Sequence, residues 1–152
     1  MNLKQLLSFI FYTLILGFLG SIFVNKESYN LLIKPDFAPA PIVFGIAWTI
    51  LYILMGISFY YIYNSSDKEK RKKAIKLYIL QLLVNISWPF IFFKLGYLYV
   101  SFIWLVILLI LVIIMTIKFS KIDKKAALLQ IPYIAWLIFA GILNLSIYVL
   151  NS

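Results

Sequence analysis

Five stretches without a single charged residue occupy most of this chain, and they dictate the solvent in which it folds. They lie between Lys4 and Lys26, Asp36 and Asp67, Lys76 and Lys94, Lys94 and Lys118, and after Lys125, with lengths of 21, 30, 17, 23 and 27 residues. A helix crossing the hydrocarbon core of a bilayer needs roughly 20 apolar residues, with a range of about 17–25. The period-two alternation of transmembrane barrel strands is missing. Charged residues are 12% of 152, against about 25% in soluble domains, too few to cover a soluble surface. The expectation is an all-α integral membrane bundle of five transmembrane helices, near 5–24, 42–63, 77–93, 97–117 and 127–149. They would form one domain over 1–152. The first run exceeds the apolar region of a secretory signal, about 7–15 residues, and no small-x-small site precedes Asn25, so it reads as a retained helix.

Charge placement orients such a bundle. The N-terminus and the second and fourth connections carry Lys4, Lys68, Lys70, Arg71, Lys72, Lys73, Lys76, Lys118, Lys121, Lys124 and Lys125. The other side carries only Lys26, Lys34 and Lys94. Positive-inside bias places the N-terminus in the cytoplasm and the first loop outside. The lysine-, isoleucine- and asparagine-rich composition suggests a bacterial cell membrane. The net charge of +9 is thus a topology signal, and the basic connection suits anionic lipid headgroups rather than nucleic acid. Tyr60, Tyr61, Tyr63, Tyr97 and Tyr99 fall at helix ends and read as interfacial belts.

Several chemistries lack their residues. The chain has no Cys and no His, so thiol nucleophiles, Cys/His metal sites and histidine-ligated haem are excluded. No ionisable acid or base other than tyrosine lies inside the five runs, where ion-coupled transporters place such groups. No nucleophile–base–orienter set exists for hydrolysis.

The segment Tyr29–Met55 reads YNLLIKPDFAPAPIVFGIAWTILYILM. Pro35, Pro39 and Pro41 lack an N–H and fix φ, which makes the loop stiff. After Pro41 nothing breaks a helix, and Trp48, Tyr52, Met55 and Phe59 recur on one face. A stiff lid beside an aromatic wall can hold a flat apolar ligand. On the third helix Gln81, Asn85 and Trp88 share a face. Pro89 frees the Asn85 carbonyl. Amides are costly in hydrocarbon unless paired, so this face points inward, either anchoring a ligand or tying helices together. On the fifth helix Trp136, Ala140 and Asn144 form either a pocket floor or a packing notch. Pro132 marks a kink. Gly17, Gly20 and Ser21 allow a close helix approach.

Three blocks carry a family resemblance. The first is Lys34-Pro35, Phe37, Pro39, Val43-Phe44, Trp48-Thr49, Leu51-Tyr52 and Met55. The second is Gln81-Leu82, Asn85, Trp88-Pro89 and Phe92-Phe93. The third is Pro132-Tyr133, Ala135-Trp136, Phe139-Ala140 and Leu143-Asn144. In this order, over nearly the whole chain, they resemble the translocator protein, or tryptophan-rich sensory protein, family. The resemblance implies a five-helix bundle, commonly a homodimer, with a pocket opening toward the first loop. It implies binding of porphyrins such as protoporphyrin IX, with no required cofactor, and in some members light-dependent porphyrin degradation. By motif, Trp48, Tyr52, Asn85, Trp88, Trp136, Ala140 and Asn144 would line the pocket, and Tyr29, Pro35 and Pro39 would shape its lid. Trp48 and Trp136 would be the catalytic electron donors if the photo-oxidative activity is present. The chain departs from the family pattern at Ala40, where a second lid proline is usual, and at Asp36-Phe37 and Ile86. It also lacks a basic residue after Tyr148, as the animal cholesterol motif requires.

Overall fold

The computed structural model describes residues 2–152, and among them every regular element is helical. Helix α1, Leu3–Leu19, starts at Asn2, whose side chain accepts from the Gln5 amide, and tightens into a 3-10 turn, Gly20–Phe23. A short α2, Lys26–Leu31, follows within the first loop. Helix α3, Pro41–Tyr63, has proline at its first position, where the missing N–H costs nothing. Helix α4, Lys68–Pro89, runs into a π turn, Phe90–Lys94. Helix α5 is Leu98–Ser120. The last span is broken into α6, Lys124–Leu128, and α7, Ile131–Leu150.

Five segments are long and apolar enough to cross a membrane: Leu3–Phe23, Pro41–Tyr63, Lys68–Lys94, Leu98–Ser120 and Lys124–Leu150. Two boundaries differ from the sequence expectation. The third helix starts at Lys68 rather than near residue 77, because Asp67 caps it. Its Oδ1 accepts from the Lys70 amide at 3.0 Å, and its other oxygen lies 2.8 Å from Lys70 Nζ. The Lys70 ammonium and amide together hold the Asp67 carboxyl below its ordinary range. The basic connection is therefore the first turns of a helix. The fifth helix breaks at Leu129–Gln130, since Pro132 cannot donate to the preceding turn.

The bundle is polar-poor outside as well as inside. Ile42, Ile46 and Ile50 of α3, Ile103, Ile107, Ile110, Ile114 and Ile117 of α5, and Ile138 and Ile142 of α7 are exposed. Such stripes would make a soluble protein aggregate, and in a bilayer they are the solvent-facing surface. Small residues set the closest crossing. A Cβ at Gly56 of α3 would reach to 2.6 Å from the Ile10 Cα of α1, and one at Gly17 of α1 would fall on the Tyr52 ring of α3. The main core gathers Leu51, Met55, Leu82, Leu105, Val112, Met115, Phe119 and Leu137.

Helix α1 packs on α3 and α4, α4 on α5, and α5 on α7. At the basic end α6 docks on α3, where Ser58 donates to the Ala126 carbonyl at 2.8 Å. Toward the opposite end α3 and α7 meet through aromatic rings instead. Tyr60, expected at the interface, is buried, and its hydroxyl accepts from the Asn2 amide at 2.9 Å. Tyr63, Tyr97 and Tyr99 are exposed at helix ends.

Candidate functional site

The α3–α7 seam holds the aromatic residues singled out in the sequence. Trp48 stacks on Tyr52, with centroids 5.4 Å apart and planes at 26°. Its other neighbours are Trp136 at 6.4 Å and Tyr133 at 6.1 Å, both edge-on. Trp136 also meets Phe44 at 5.9 Å and Phe139 at 5.4 Å. Four turns of two helices thus build a nearly continuous aromatic lining. Trp48 and Tyr52 are one turn apart on α3, as are Trp136 and Ala140 on α7, so each pair faces the seam.

Beneath this lining runs a directed hydrogen-bond chain. The Tyr52 hydroxyl donates to Asn85 Oδ1 at 2.9 Å, Asn85 Nδ2 donates to the Tyr133 hydroxyl at 2.7 Å, and Tyr133 donates to Gln81 Oε1 at 3.0 Å. Gln81 Nε2 ends the chain 3.8 Å from Met55 Sδ. All four polar residues are buried. Asn85 therefore joins α3, α4 and α7 through its own amide, and both ends of that amide are engaged.

A second polar knot lies nearer the loop end. Asn144 Oδ1 accepts from Trp88 Nε1 at 3.2 Å and from Ser101 Oγ at 3.0 Å, while its Nδ2 donates to the Leu98 carbonyl at 2.8 Å. Trp88 then stacks on Phe92 at 5.1 Å. The Ala140 side chain is half-buried and packs against the main core. Asn85 and Trp88 thus hold different partners, although they share a helix face.

The first loop covers this end of the seam. Tyr29, Leu32 and Ala38 pack on Phe92, Leu143 and Ile147. Pro35 opens a turn closed by the Ala38 amide on its carbonyl at 2.9 Å, and Phe37 reaches Phe139 at 6.4 Å. Pro39 sits half-buried just before α3. Lys34 caps the end of α2, donating to the carbonyls of Tyr29 at 2.9 Å and Leu32 at 2.8 Å, with its ammonium 4.8 Å from the Tyr29 ring centre. The loop is also tied to the last residues of the chain. Asn151 Oδ1 accepts from the Ile33 amide at 3.0 Å, and Asn151 Nδ2 donates to the Ile33 carbonyl at 2.8 Å.

Two buried donors around this seam, the Trp136 Nε1 and the Tyr29 hydroxyl, have no hydrogen-bond partner among the described residues. Burial raises the Tyr29 hydroxyl above its ordinary pKa, so it stays protonated and able to donate. Among the described residues, no cluster of three His, Cys, Asp or Glu is placed to hold a metal ion.

Sequence reading passed over Tyr133, Ser101, Phe139 and Asn151 as site or lid residues. Tyr133 precedes Trp136 by three residues and so shares its face, a signal that was there to read. Asn151 had none, because its partner Ile33 is 118 residues away.

Spans, seam and covering loop together define an integral membrane protein of the five-helix type with a capped aromatic interior. The chain belongs to the TspO/MBR family, whose model matches residues 9–150. It is 36% identical to the tryptophan-rich protein TspO of Archaeoglobus fulgidus, with 100% of each chain covered. It is 32% identical to the protein of that name from Chlorobaculum tepidum, over 91% of this chain and 90% of the relative. The translocator protein of Homo sapiens is 34% identical over 86% of this chain and 80% of its own.

Proposed function

We propose that this protein binds a flat apolar ligand, a porphyrin or related tetrapyrrole, in the α3–α7 seam beneath the first loop, acting as sensor, carrier or sink. The observation that carries the reading is the Trp136 indole N–H, buried among Phe44, Trp48 and Phe139 with no acceptor among the described residues. A buried donor left without a partner costs about 1–3 kcal/mol. A ligand carbonyl or carboxylate placed there recovers that cost, and the Tyr29 hydroxyl offers a second donor from the lid. The rings supply stacking surface, and the seam can part because α3 and α7 meet through side chains rather than backbone. Asn85 and Asn144 act as a frame that holds Tyr52, Tyr133 and Trp88 in place, with Ala140 leaving room beside Trp136. Pro35 and Pro39 stiffen the lid.

The same reading puts the N-terminus in the cytoplasm and the first loop outside, from the lysine asymmetry, in a bacterial cell membrane. The homodimer belongs to it through the family resemblance.

The test is titration of detergent-purified protein with protoporphyrin IX in the dark and then in light. Saturable tryptophan quenching that is lost in Trp48→Ala supports the reading, and its absence in the wild type removes it. Irreversible loss of porphyrin bands in light, above that in detergent alone, supports the enzymatic alternative. Trp48 and Trp136, 6.4 Å apart, would then donate electrons to the excited porphyrin.

A further inference from the structure

The most unusual backbone in the bundle lies away from the aromatic seam. Helix α1 ends in a 3-10 turn, Gly20–Phe23, and α4 ends in a π turn, Phe90–Lys94, and these two irregular turns pack side by side. The π turn follows directly from Pro89, which withdraws one N–H from the ladder, so that the Leu95 amide reaches back to the Phe90 carbonyl at 3.0 Å. One helix narrows where its neighbour widens. They meet at Gly20 against Ile86 and through an edge-to-face contact of Phe23 and Phe90 at 5.1 Å, which leaves their outer faces open.

Two recesses result, and they share Phe23. One is an apolar groove of about 420 Å³ along the α1–α4 seam, lined by Leu19, Gly20, Phe23, Leu83, Ile86, Ser87 and Phe90. The other is a cleft of about 620 Å³ at the helix ends, where Phe23 and Phe93 meet Lys26, Glu27 and Lys94. Lys94 ends the third spanning segment and Lys26 lies three residues beyond the first. The cleft thus sits at headgroup depth and the groove in the hydrocarbon. The aromatic seam touches this feature only at Phe93, which also packs on Tyr29 and Trp88.

We propose that this paired cleft and groove is a binding site for a monoanionic phospholipid of the phosphatidylglycerol type. The chemistry is matched end to end. Two ammonium groups and one carboxylate leave the cleft with one net positive charge, which a single phosphodiester neutralises. Lys26 and Lys94 take the phosphate oxygens, and Glu27 accepts from the headgroup hydroxyls. One acyl chain follows the groove past Phe23, along the floor where α1 and α4 close on each other. Gly20 permits that approach, since a Cβ there would lie 3.0 Å from the Ile86 carbonyl oxygen. Phosphatidylcholine offers the same phosphate but only a quaternary ammonium, which cannot donate to Glu27.

The absence of cysteine makes a local test simple. Leu83→Cys, on the half-exposed groove wall, carries a single small fluorophore in protein reconstituted into bilayers. Brominated-chain phosphatidylglycerol should quench it several-fold more strongly than brominated-chain phosphatidylcholine at equal mole fraction. Lys26→Gln combined with Lys94→Gln should erase that difference, while Lys72→Gln combined with Lys73→Gln, at the basic end, should preserve it. Equal quenching by both lipids would mean ordinary annular lipid and overturn the site. Quenching by neither would mean that a second protein copy covers the groove, and would overturn it equally. Native mass spectrometry of the unlabelled protein gives an independent reading, with retained phosphatidylglycerol expected in the wild type and lost in the double lysine variant. Retention unchanged in that variant also counts against the site.

Discussion

The phenol of Tyr52 lies across the α1 backbone at Gly17, with its hydroxyl 3.3 Å from the Gly17 carbonyl and 2.9 Å from Asn85 Oδ1. The glycine is what lets α1 approach, because a Cβ there would fall on the ring. Gly17→Ala should therefore displace Tyr52, loosen the Trp48 stack and cost about 1–3 kcal/mol, the usual range for overpacking. Gly45→Ala, in open space on α3, should instead stabilise by about 0.5–1 kcal/mol, the helix-propensity gain of alanine over glycine. Unfolding of both variants in detergent checks this, and equal effects would refute the close-approach argument.

Asn85 is the centre of a directed chain: its amide oxygen accepts from Tyr52, its amide nitrogen donates to Tyr133, and Tyr133 donates to Gln81. Asn85→Leu would leave the Tyr52 and Tyr133 hydroxyls competing for what remains, at a cost of about 1–3 kcal/mol for buried unpaired groups. Combining it with Tyr52→Phe and Tyr133→Phe should cost less than the sum of the separate changes, because the orphaned partners go too. Strict additivity in thermal unfolding would show that the distances do not reflect coupled bonds.

This chain of bonds marks how far the sequence was legible. Five charge-free runs were enough for the bundle, since a bilayer leaves the backbone almost no other solution. The shared face of Gln81 and Asn85 was visible from their spacing, and so was the aromatic wall of Trp48 and Tyr52. Their partners were not, because periodicity describes one helix and the bonds join three. The helical start at Lys68 was hidden because six basic residues look like a solvated connection, while the decisive residue is the cap, Asp67. The 3-10 turn after Leu19 carried no sequence signal, and the π turn carried only Pro89.

Trp136 separates a packing role from a ligand role in a single substitution. Trp136→Phe keeps an aromatic ring against Phe44 and Phe139 and removes the unpartnered N–H together with part of the indole ring. Stability should fall by no more than about 1 kcal/mol, since relief of the orphaned donor offsets part of the lost packing. Dark affinity for protoporphyrin IX should fall about fivefold, the equivalent of one neutral hydrogen bond of about 1 kcal/mol. An unchanged affinity would show that the indole N–H does not meet the ligand.

Asn151 fastens the first loop by pairing with both backbone groups of Ile33, while its amide also donates to the Ile147 carbonyl at 2.7 Å. It links the lid to α7 without touching any aromatic of the seam. Asn151→Ala should speed hydrogen exchange at the Ile33 amide about fivefold or more, for about 1 kcal/mol of lost closure. Association and release of ligand should both quicken, with a smaller change in affinity. Exchange equal to that of the wild type would mean the loop is held by Tyr29 and Ala38 packing alone.

Tyr29 gives loop closure a pH limit. Burial raises its hydroxyl above the ordinary value of 10.0, so the closed loop favours the neutral phenol. For a group raised on closure, the stabilisation is complete below the open-state pKa and is lost as pH climbs through the closed-state value. Closure should therefore be flat from neutral pH to about 9 and weaken above 10. The comparison is with Tyr29→Phe, which keeps the ring and removes only the hydroxyl. The wild type should show an added rise in proteolytic nicking of the 32–40 segment above pH 10, and the phenylalanine variant should lack it. Identical alkaline profiles would show that the phenol does not set the limit of closure.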